Sequence, residues 1–220
     1  MNTNSDLFDD VINQNTEIHQ QILKDVFWLK GFALSNEQKI LTDLAAVISQ
    51  APLRHMTTRM GFKLSAAMTN CGDIGWVSSR KGYGYNALDP DTDKPWPAMP
   101  TSFAQLAQSA AAQAGFDHFE PDACLINQYK VGASMGLHQD KDEHDFSQPI
   151  VSVSLGIPAV FLFGGMLKCD KPTKIPLMHG DIIVWGREAR LNYHGIMLLK
   201  PNIHASVGAY RFNLTFRKAA

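Results

Sequence analysis

The chain has 220 residues, with 20 Lys and Arg against 21 Asp and Glu, 45% hydrophobic and 19% charged. That composition suits one folded domain with a sizeable core, and a net charge of -1 excludes a globally basic nucleic-acid binder while leaving room for a local basic face. The longest apolar runs stop far short of the roughly 18 residues that a bilayer span requires. The start MNTNSDLFDD lacks the pattern of a secretory signal, and Cys71, Cys124 and Cys169 write neither a disulfide framework nor a CxxC zinc site. The expectation is a cytoplasmic monomer with reduced thiols and no membrane partner.

Residues 1–30 mix Asn, Asp and Gln with scattered apolar side chains and predict a loosely held arm. From Ser35 a helical period sets in. Ser35 and Gln38 suggest a capping box ahead of Ile40, Leu41, Leu44, Ala45, Val47 and Ile48, which share one face. Residues 52–100 are rich in Gly, Pro and aromatics (Phe62, Trp76, Tyr83, Tyr85, Trp96), the composition of a binding loop or lid. Pro100, Thr101 and Ser102 open a second helix, with Phe103, Leu106, Ala107, Ala110 and Ala114 on one stripe and Gly115 as its stop. Beyond it the period shortens to that of strands: ACLINQY, PIVSVSLG, PAVFLFG, DIIVWG and AYRFNLTF, each fenced by Gly, Pro or Asp. Alternating βα units are absent. The fold class is α+β, mainly β: an antiparallel sandwich or jelly roll with two helices packed on one outer face.

In GLHQDKDE, His138 and Asp140 stand two apart, so an extended backbone projects both to one side. With a further imidazole they would make the two-histidine, one-carboxylate triad of non-haem Fe(II) oxygenases, and His194 in NYHG is the candidate. Chance supplies about 0.6 HxD matches in a chain of this composition. Two occur. The other, His179-Gly180-Asp181, stands directly before IIVW and reads more simply as a turn opening that strand. His118-Phe119-Glu120 is a weaker possibility still, in a polar connection.

The last strand alternates cleanly, with Tyr210, Phe212, Leu214 and Phe216 on one face and Arg211, Asn213, Thr215 and Arg217 on the other. Its polar face meets either water or a buried ligand. A triad iron that activates O2 needs two further electrons, commonly from 2-oxoglutarate, whose distal carboxylate wants a cationic anchor. Arginine suits it because its planar fork pairs bidentately and stays charged when desolvated. Arg211 is assigned to the distal carboxylate and Arg217 to the iron-bound end. The two are about 20 Å apart along a straight strand, so they share a small ligand only if the strand coils or the side chains lean together. Asn127 and Tyr129, on one side of ACLINQY, add an amide and a phenol.

These strings, together with IVSVSLG, HGDIIVWG, MTNCG and the terminal RFNLTFR, resemble the AlkB family of Fe(II)- and 2-oxoglutarate-dependent repair dioxygenases from about residue 50 to 217. The resemblance implies a double-stranded β-helix, that is a jelly roll, with iron on His138, Asp140 and His194, and 2-oxoglutarate against Asn127, Tyr129, Arg211, Asn213 and Arg217. It implies one dioxygenase domain over 31–220, with 52–100 as a nucleotide-recognition lid and 115–217 as the jelly-roll core. The implied activity consumes O2 and removes methyl groups from ring nitrogens such as those of 1-methyladenine and 3-methylcytosine. Its partner would be alkylated DNA, single-stranded or with the base flipped out, and RNA as a further possibility.

A cationic flipped base wants flat aromatics and a carboxylate, which Trp76, Tyr83 and Asp142 can supply, with Tyr85 and Lys168 added to the substrate set. Arg54, Arg59, Lys63, Arg80, Lys81, Lys130 and Lys168 are candidates to grip phosphates. Phe62, Asn192 and Lys168 stand where the family pattern leads one to expect tyrosine, phenylalanine and arginine. Two other readings stay in view: the same iron chemistry on a protein or small molecule, and a jelly-roll module that binds modified nucleic acid without turnover.

Overall fold

In a computed structural model of the chain, residues 19–220 are described. The strands, in chain order, begin with β1 (His19–Leu23) and β2 (Val26–Leu29), and β3 (Ala67–Gly72), β4 (Gly75–Ser79), β5 (Gly82–Asn86), β6 (Leu88–Asp89) and β7 (Lys94–Pro95) follow. Eight more run from β8 (Ala123–Lys130), β9 (Met135–His138), β10 (Ile150–Gly156) and β11 (Ala159–Phe163) to β12 (Thr173–Leu177), β13 (Ile182–Trp185), β14 (His194–Ile196) and β15 (Tyr210–Arg217). Helix α1 is Glu37–Gln50 and α2 is Thr101–Gln113.

The last eight strands build the jelly roll by changing sheets as the chain proceeds. A seven-stranded sheet runs β1-β2-β13-β10-β15-β8-β3, and a four-stranded sheet runs β12-β11-β14-β9. Every pairing within them is antiparallel. Strand β13 shows why the larger sheet holds. It is apolar on both faces, because Ile182 and Val184 meet the helices while Ile183 and Trp185 enter the space between the sheets. Each such fully buried side chain contributes about 1.5–3 kcal/mol.

Both helices lie on the outer face of that sheet. Ile40, Leu44 and Val47 of α1 and Phe103, Leu106 and Ala107 of α2 join one core with Ile126, Val151, Leu214 and Phe216. Leu41 and Ile48 pack at its margin, whereas Ala45 is exposed. The capping box does not form: a 3-10 turn over Leu34–Asn36 makes Asn36 the N-cap, without a side-chain bond. The stop at Gly115 takes the form the sequence suggested. Gly115 adopts φ +77, its N–H reaches Ala112 O at 2.9 Å, and Phe116 N–H reaches Ala111 O at 2.9 Å.

The expected arm is corrected over its last part. Residues 19–29 form β1 and β2, and β2 is hydrogen-bonded to β13. Val26, Trp28 and Leu29 are buried, so a continuous apolar run in a short strand outweighs the polar residues of its neighbour. Residues 1–18 lie outside the described ones. The segment 52–100 is likewise not all loop, since β3 is an edge strand of the large sheet, buried along its whole length. Among the described residues no helix is long and apolar enough to cross a membrane.

Candidate active site

The two sheets leave a cavity of about 480 Å³ between them, lined by side chains from β8, β9, β10, β14 and β15 and roofed by the β4–β5 hairpin. His138 ends β9 and His194 begins β14, and the two are directly paired across the small sheet. Their ring centroids lie 4.4 Å apart. Gly195 permits this approach: a Cβ there would lie 2.7 Å from Met135 O. Asp140 follows β9 and turns back between the imidazoles, with Oδ1 3.7 Å from His138 Nε2 and Oδ2 3.7 Å from His194 Nε2.

The tautomers are set by the backbone. His138 Nδ1 lies 2.9 Å from Gly136 O and His194 Nδ1 lies 3.0 Å from Asn192 O. A carbonyl only accepts, so each Nδ1 carries the proton and each Nε2 offers its lone pair to the common centre. Asn192 acts here through its backbone carbonyl. Burial pushes His194 down to about 4, aided by His138, so it is neutral and ready to ligate at ordinary pH. Burial acting alone would raise the Asp140 carboxyl, but Arg217 and the two imidazoles outweigh it and hold it well below the usual carboxylate range.

Arg217 is engaged rather than free. Its Nε donates to Asp140 Oδ2 at 3.0 Å and lies 3.3 Å from Glu143 Oε1. Glu143 also pairs with Arg190 Nη2 at 3.1 Å and accepts Tyr85 OH at 2.6 Å, while Arg190 Nη1 donates to Asp140 O at 2.8 Å. Glu143 and Arg190 were not singled out from sequence. Forty-seven residues separate them, and a buried ion pair of that span leaves no periodic trace.

At the other end of β15, Arg211 is 1% exposed, donates from Nε to Ser154 Oγ at 3.0 Å, and lies over the Tyr129 ring. Burial pushes the Tyr129 phenol up to about 12, so it stays protonated. Asn213 lines the cavity but spends its polar atoms internally: Nδ2 donates to Ser152 Oγ at 2.8 Å and Val153 O at 3.0 Å, and Oδ1 accepts Thr215 Oγ1 at 3.1 Å. It stiffens the wall.

The hairpin brings Trp76, Tyr83 and Tyr85 to one face, because the register pairs Trp76 with Tyr85 and Ser78 with Tyr83. The Trp76 and Tyr83 rings are stacked, 5.9 Å apart and 8° from parallel. Trp76 Nε1 donates to Asp142 Oδ2 at 2.8 Å. Trp76, Tyr83 and Asp142 line the cavity. Tyr85 and Lys168 do not: Tyr85 sits behind the wall on Glu143, and Lys168 is on an exposed loop after β11. Arg54 is likewise engaged, with Asp89 and Asp91. Asp181 accepts Trp28 Nε1, Gly31 N and Met178 N, which makes His179-Gly180-Asp181 the turn that opens β13. His118 is in a positive-φ connection with φ +60.

The residues present fit a ferrous ion and a dicarboxylate. Two imidazole nitrogens and a carboxylate oxygen lie within 4.8 Å of one another, with donor types that suit non-haem Fe(II). In the same cavity wall, Arg211 Nη1, Arg217 Nη1 and Asn127 Oδ1 are buried without partners. Leaving such groups unmet costs about 1–3 kcal/mol each, which a ligand bearing acidic oxygens would relieve at the two guanidinium groups.

This jelly roll with its His-Asp-His cluster and paired arginines defines an oxygenase dependent on Fe(II), 2-oxoglutarate and O2. The family model of the 2OG-Fe(II) oxygenase superfamily matches residues 25–217. The chain is 56% identical to the alpha-ketoglutarate-dependent dioxygenase AlkB of Salmonella typhimurium, over 87% of this chain and 89% of that protein. It is 53% identical to that of Escherichia coli, over 87% and 88%. The solved structure of OsALKBH1 superposes with a TM-score of 0.78 at 29% identity, over 91% of this chain and 99% of that one. The chain therefore belongs to the AlkB family of 2-oxoglutarate-dependent dioxygenases.

Proposed function

We propose that the chain reverses N-alkyl damage in nucleic acid, removing methyl groups from 1-methyladenine and 3-methylcytosine in DNA and, as a second substrate, RNA. The observation that carries this reading is the Trp76–Tyr83 stack and the Asp142 carboxylate on the wall of the cavity that holds His138, Asp140 and His194. A ring alkylated on a pairing nitrogen is flat and cationic. It pairs badly and is cheap to flip from the helix, and it is met here by aromatic faces and an anion.

In this reading His138, Asp140 and His194 hold the metal. Arg211, with Tyr129 beneath it and Asn127 nearby, binds the distal carboxylate of 2-oxoglutarate, and Arg217 Nη1 serves its keto acid end. The chemistry a bound ferrous ion supplies is the activation of O2, coupled to oxidation of 2-oxoglutarate to succinate and CO2. One oxygen atom enters succinate and the other converts the N-methyl C–H bond to C–OH. The hemiaminal then breaks its C–N bond: the ring nitrogen keeps the electron pair, formaldehyde leaves and a proton is released. Asp142 has lost its cationic partner at that point, which favours release of the neutral base.

Residues 52–100 act as the recognition lid over the core of 115–217, and Arg59, Lys63, Arg80, Lys81 and Lys130, all exposed, are available to phosphates. Free thiols at Cys71, Cys124 and Cys169 support a reducing cytoplasmic setting, and the chain is taken to act as a monomer. Incubation of the Fe(II)-loaded protein with 2-oxoglutarate and an oligonucleotide carrying 1-methyladenine tests the reading. Formaldehyde and succinate in equal amounts, with the unmodified base restored, are expected. Succinate formation that rises only with a peptide or small molecule would overturn it.

A further inference from the structure

The His179-Gly180-Asp181 turn does more than open β13. It is bonded to residues 154–156 of β10 at three points: Gly180 N–H donates to Ser154 O at 2.8 Å, Ser154 N–H to Asp181 O at 2.8 Å, and Gly156 N–H to His179 Nδ1 at 2.8 Å. Those residues are also the ones that hold Arg211. Ser154 Oγ accepts Arg211 Nε at 3.0 Å, and Gly156 is the register partner of Arg211 across β15. Gly156 has φ +95, and a Cβ there would lie 2.2 Å from Tyr210 O, so the backbone at this crossing has a single narrow path. Side chain, backbone and turn thus form one continuous chain of contacts from His179 to the guanidinium whose Nη1 stands unpartnered in the cavity.

We propose that His179 is a positioning residue for the 2-oxoglutarate site: by accepting the Gly156 N–H it fixes the Ser154–Gly156 backbone, and so aims Arg211 at the distal carboxylate of the co-substrate. This rests on the assignment of Arg211 given above.

The tautomer makes the device sensitive to acid. Nδ1 accepts from a backbone N–H, so it carries no proton and the ring is neutral. A second proton would set Nδ1–H against Gly156 N–H, donor against donor, and cancel the bond. The groups facing the ring are Glu37 from α1, with Oε1 3.3 Å from Nε2, and His204 from the loop before β15, stacked at 4.0 Å; Arg211 and Tyr210 follow on the neighbouring strand. Burial and His204 lower the His179 pKa from 6.5, against the pull of Glu37. The midpoint of His179 protonation therefore lies on the acid side of the ordinary value for the side chain.

Anaerobic titration of 2-oxoglutarate into the Fe(II)-loaded protein, followed by calorimetry, tests this, with Fe(II) affinity measured in parallel. His179→Asn keeps an acceptor close to the position of Nδ1 without titrating, whereas His179→Leu has a similar shape and no acceptor. His179→Leu is expected to weaken 2-oxoglutarate binding by about 3- to 10-fold, as a buried N–H loses its partner, with Fe(II) affinity unchanged. His179→Asn should bind like the wild type at pH 7.5 and, unlike it, should not weaken further as the pH falls to 5.5. Unchanged 2-oxoglutarate affinity in His179→Leu overturns the proposal, even if that variant melts earlier. Should His179→Leu not fold, identical pH profiles for wild type and His179→Asn overturn it instead. Arg211→Met separates the underlying reading: if that variant binds 2-oxoglutarate normally, the assignment of Arg211 fails, whereas its loss beside normal binding in His179→Leu defeats only the role given to His179.

Discussion

Arg217 Nε lies 3.0 Å from Asp140 Oδ2 and 3.3 Å from Glu143 Oε1, so a single guanidinium group spans two buried carboxylates. One belongs to the His-Asp-His cluster. The other accepts Tyr85 OH from the β4–β5 hairpin at 2.6 Å. The arginine that ends β15 is thus the physical link between the β4–β5 hairpin and the carboxylate of the His-Asp-His cluster.

Replacing Arg217 by Gln should therefore damage both ends. Glu143 would keep Arg190 while the Asp140 carboxylate would be left without a guanidinium partner, and breaking a buried ion pair from one side costs about 3–5 kcal/mol. Loss of an outer partner that orients a ligand typically weakens metal affinity by about 10- to 100-fold. Thermal melts and Fe(II) titrations of the variant, which should both deteriorate, check this. A lowered melting temperature beside unaltered iron affinity would show that Arg217 supports the fold without orienting Asp140.

Asp142→Asn removes a charge at the cavity wall and leaves a side chain of nearly the same shape beside Trp76. The carboxylate is exposed, so its attraction for a cationic ring is screened and worth about 1 kcal/mol. The expected result is a loss of about fivefold in kcat/KM for 1-methyladenine, with a much smaller change for an alkylated base that carries no charge. Equal losses on both substrates would mean that Asp142 acts by shape.

Gly195→Ala tests the close approach of β14 to β9. The added carbon would meet Met135 O at 2.7 Å and Gly136 O at 3.1 Å, both backbone atoms with little freedom to yield. The strands must part at the point where His194 and His138 are paired. Iron affinity should fall by at least tenfold, the order seen when metal ligands lose their support. A variant that binds iron normally would show that the loop before His194 can absorb the shift.

How much of this could be read beforehand follows from where each signal resides. The alternation of β15 is clean because its two faces meet different surroundings: Leu214 and Phe216 enter the apolar core under the helices, and Arg211, Asn213 and Arg217 line the cavity that holds the His-Asp-His cluster. Arg211 and Arg217, far apart along β15, nevertheless line the same cavity, and Arg217 is bonded there to Asp140. His138 and Asp140 were found by a strand argument although β9 ends at His138; the bend that follows still returns Asp140 to the same centre. Strands β1 and β2 were missed because HQQIL exposes its glutamines and the turn at Asp25 uses φ +58, which carries no glycine as a marker. Glu143 and Arg190 were hidden for a different reason: each reads alone as a surface charge, and only the tertiary fold buries them together. Asn213, assigned to the co-substrate by resemblance, lines the cavity and is hydrogen-bonded to β10.

Metal addition offers a test of the ligand set that needs no turnover. An ion that binds the folded chain and not the unfolded one stabilises it by RT ln(1 + [L]/Kd), or about 2.7 kcal/mol at a hundredfold excess over Kd. For a domain of this size each kcal/mol raises the melting temperature by about 2–4 °C, so anaerobic Fe(II) should raise it by about 5–10 °C. His138 is the ligand nearer solvent, with its side chain 38% exposed against 6% for His194. His138→Ala should therefore leave the metal-free protein close to wild-type stability while abolishing the shift. His194→Ala should abolish the shift and also lower the starting temperature, because the ring it removes packs against Trp185 at 5.0 Å and Phe161 at 5.9 Å. A full shift surviving in either variant would show that the ion is held elsewhere, and the ligand set would have to be redrawn.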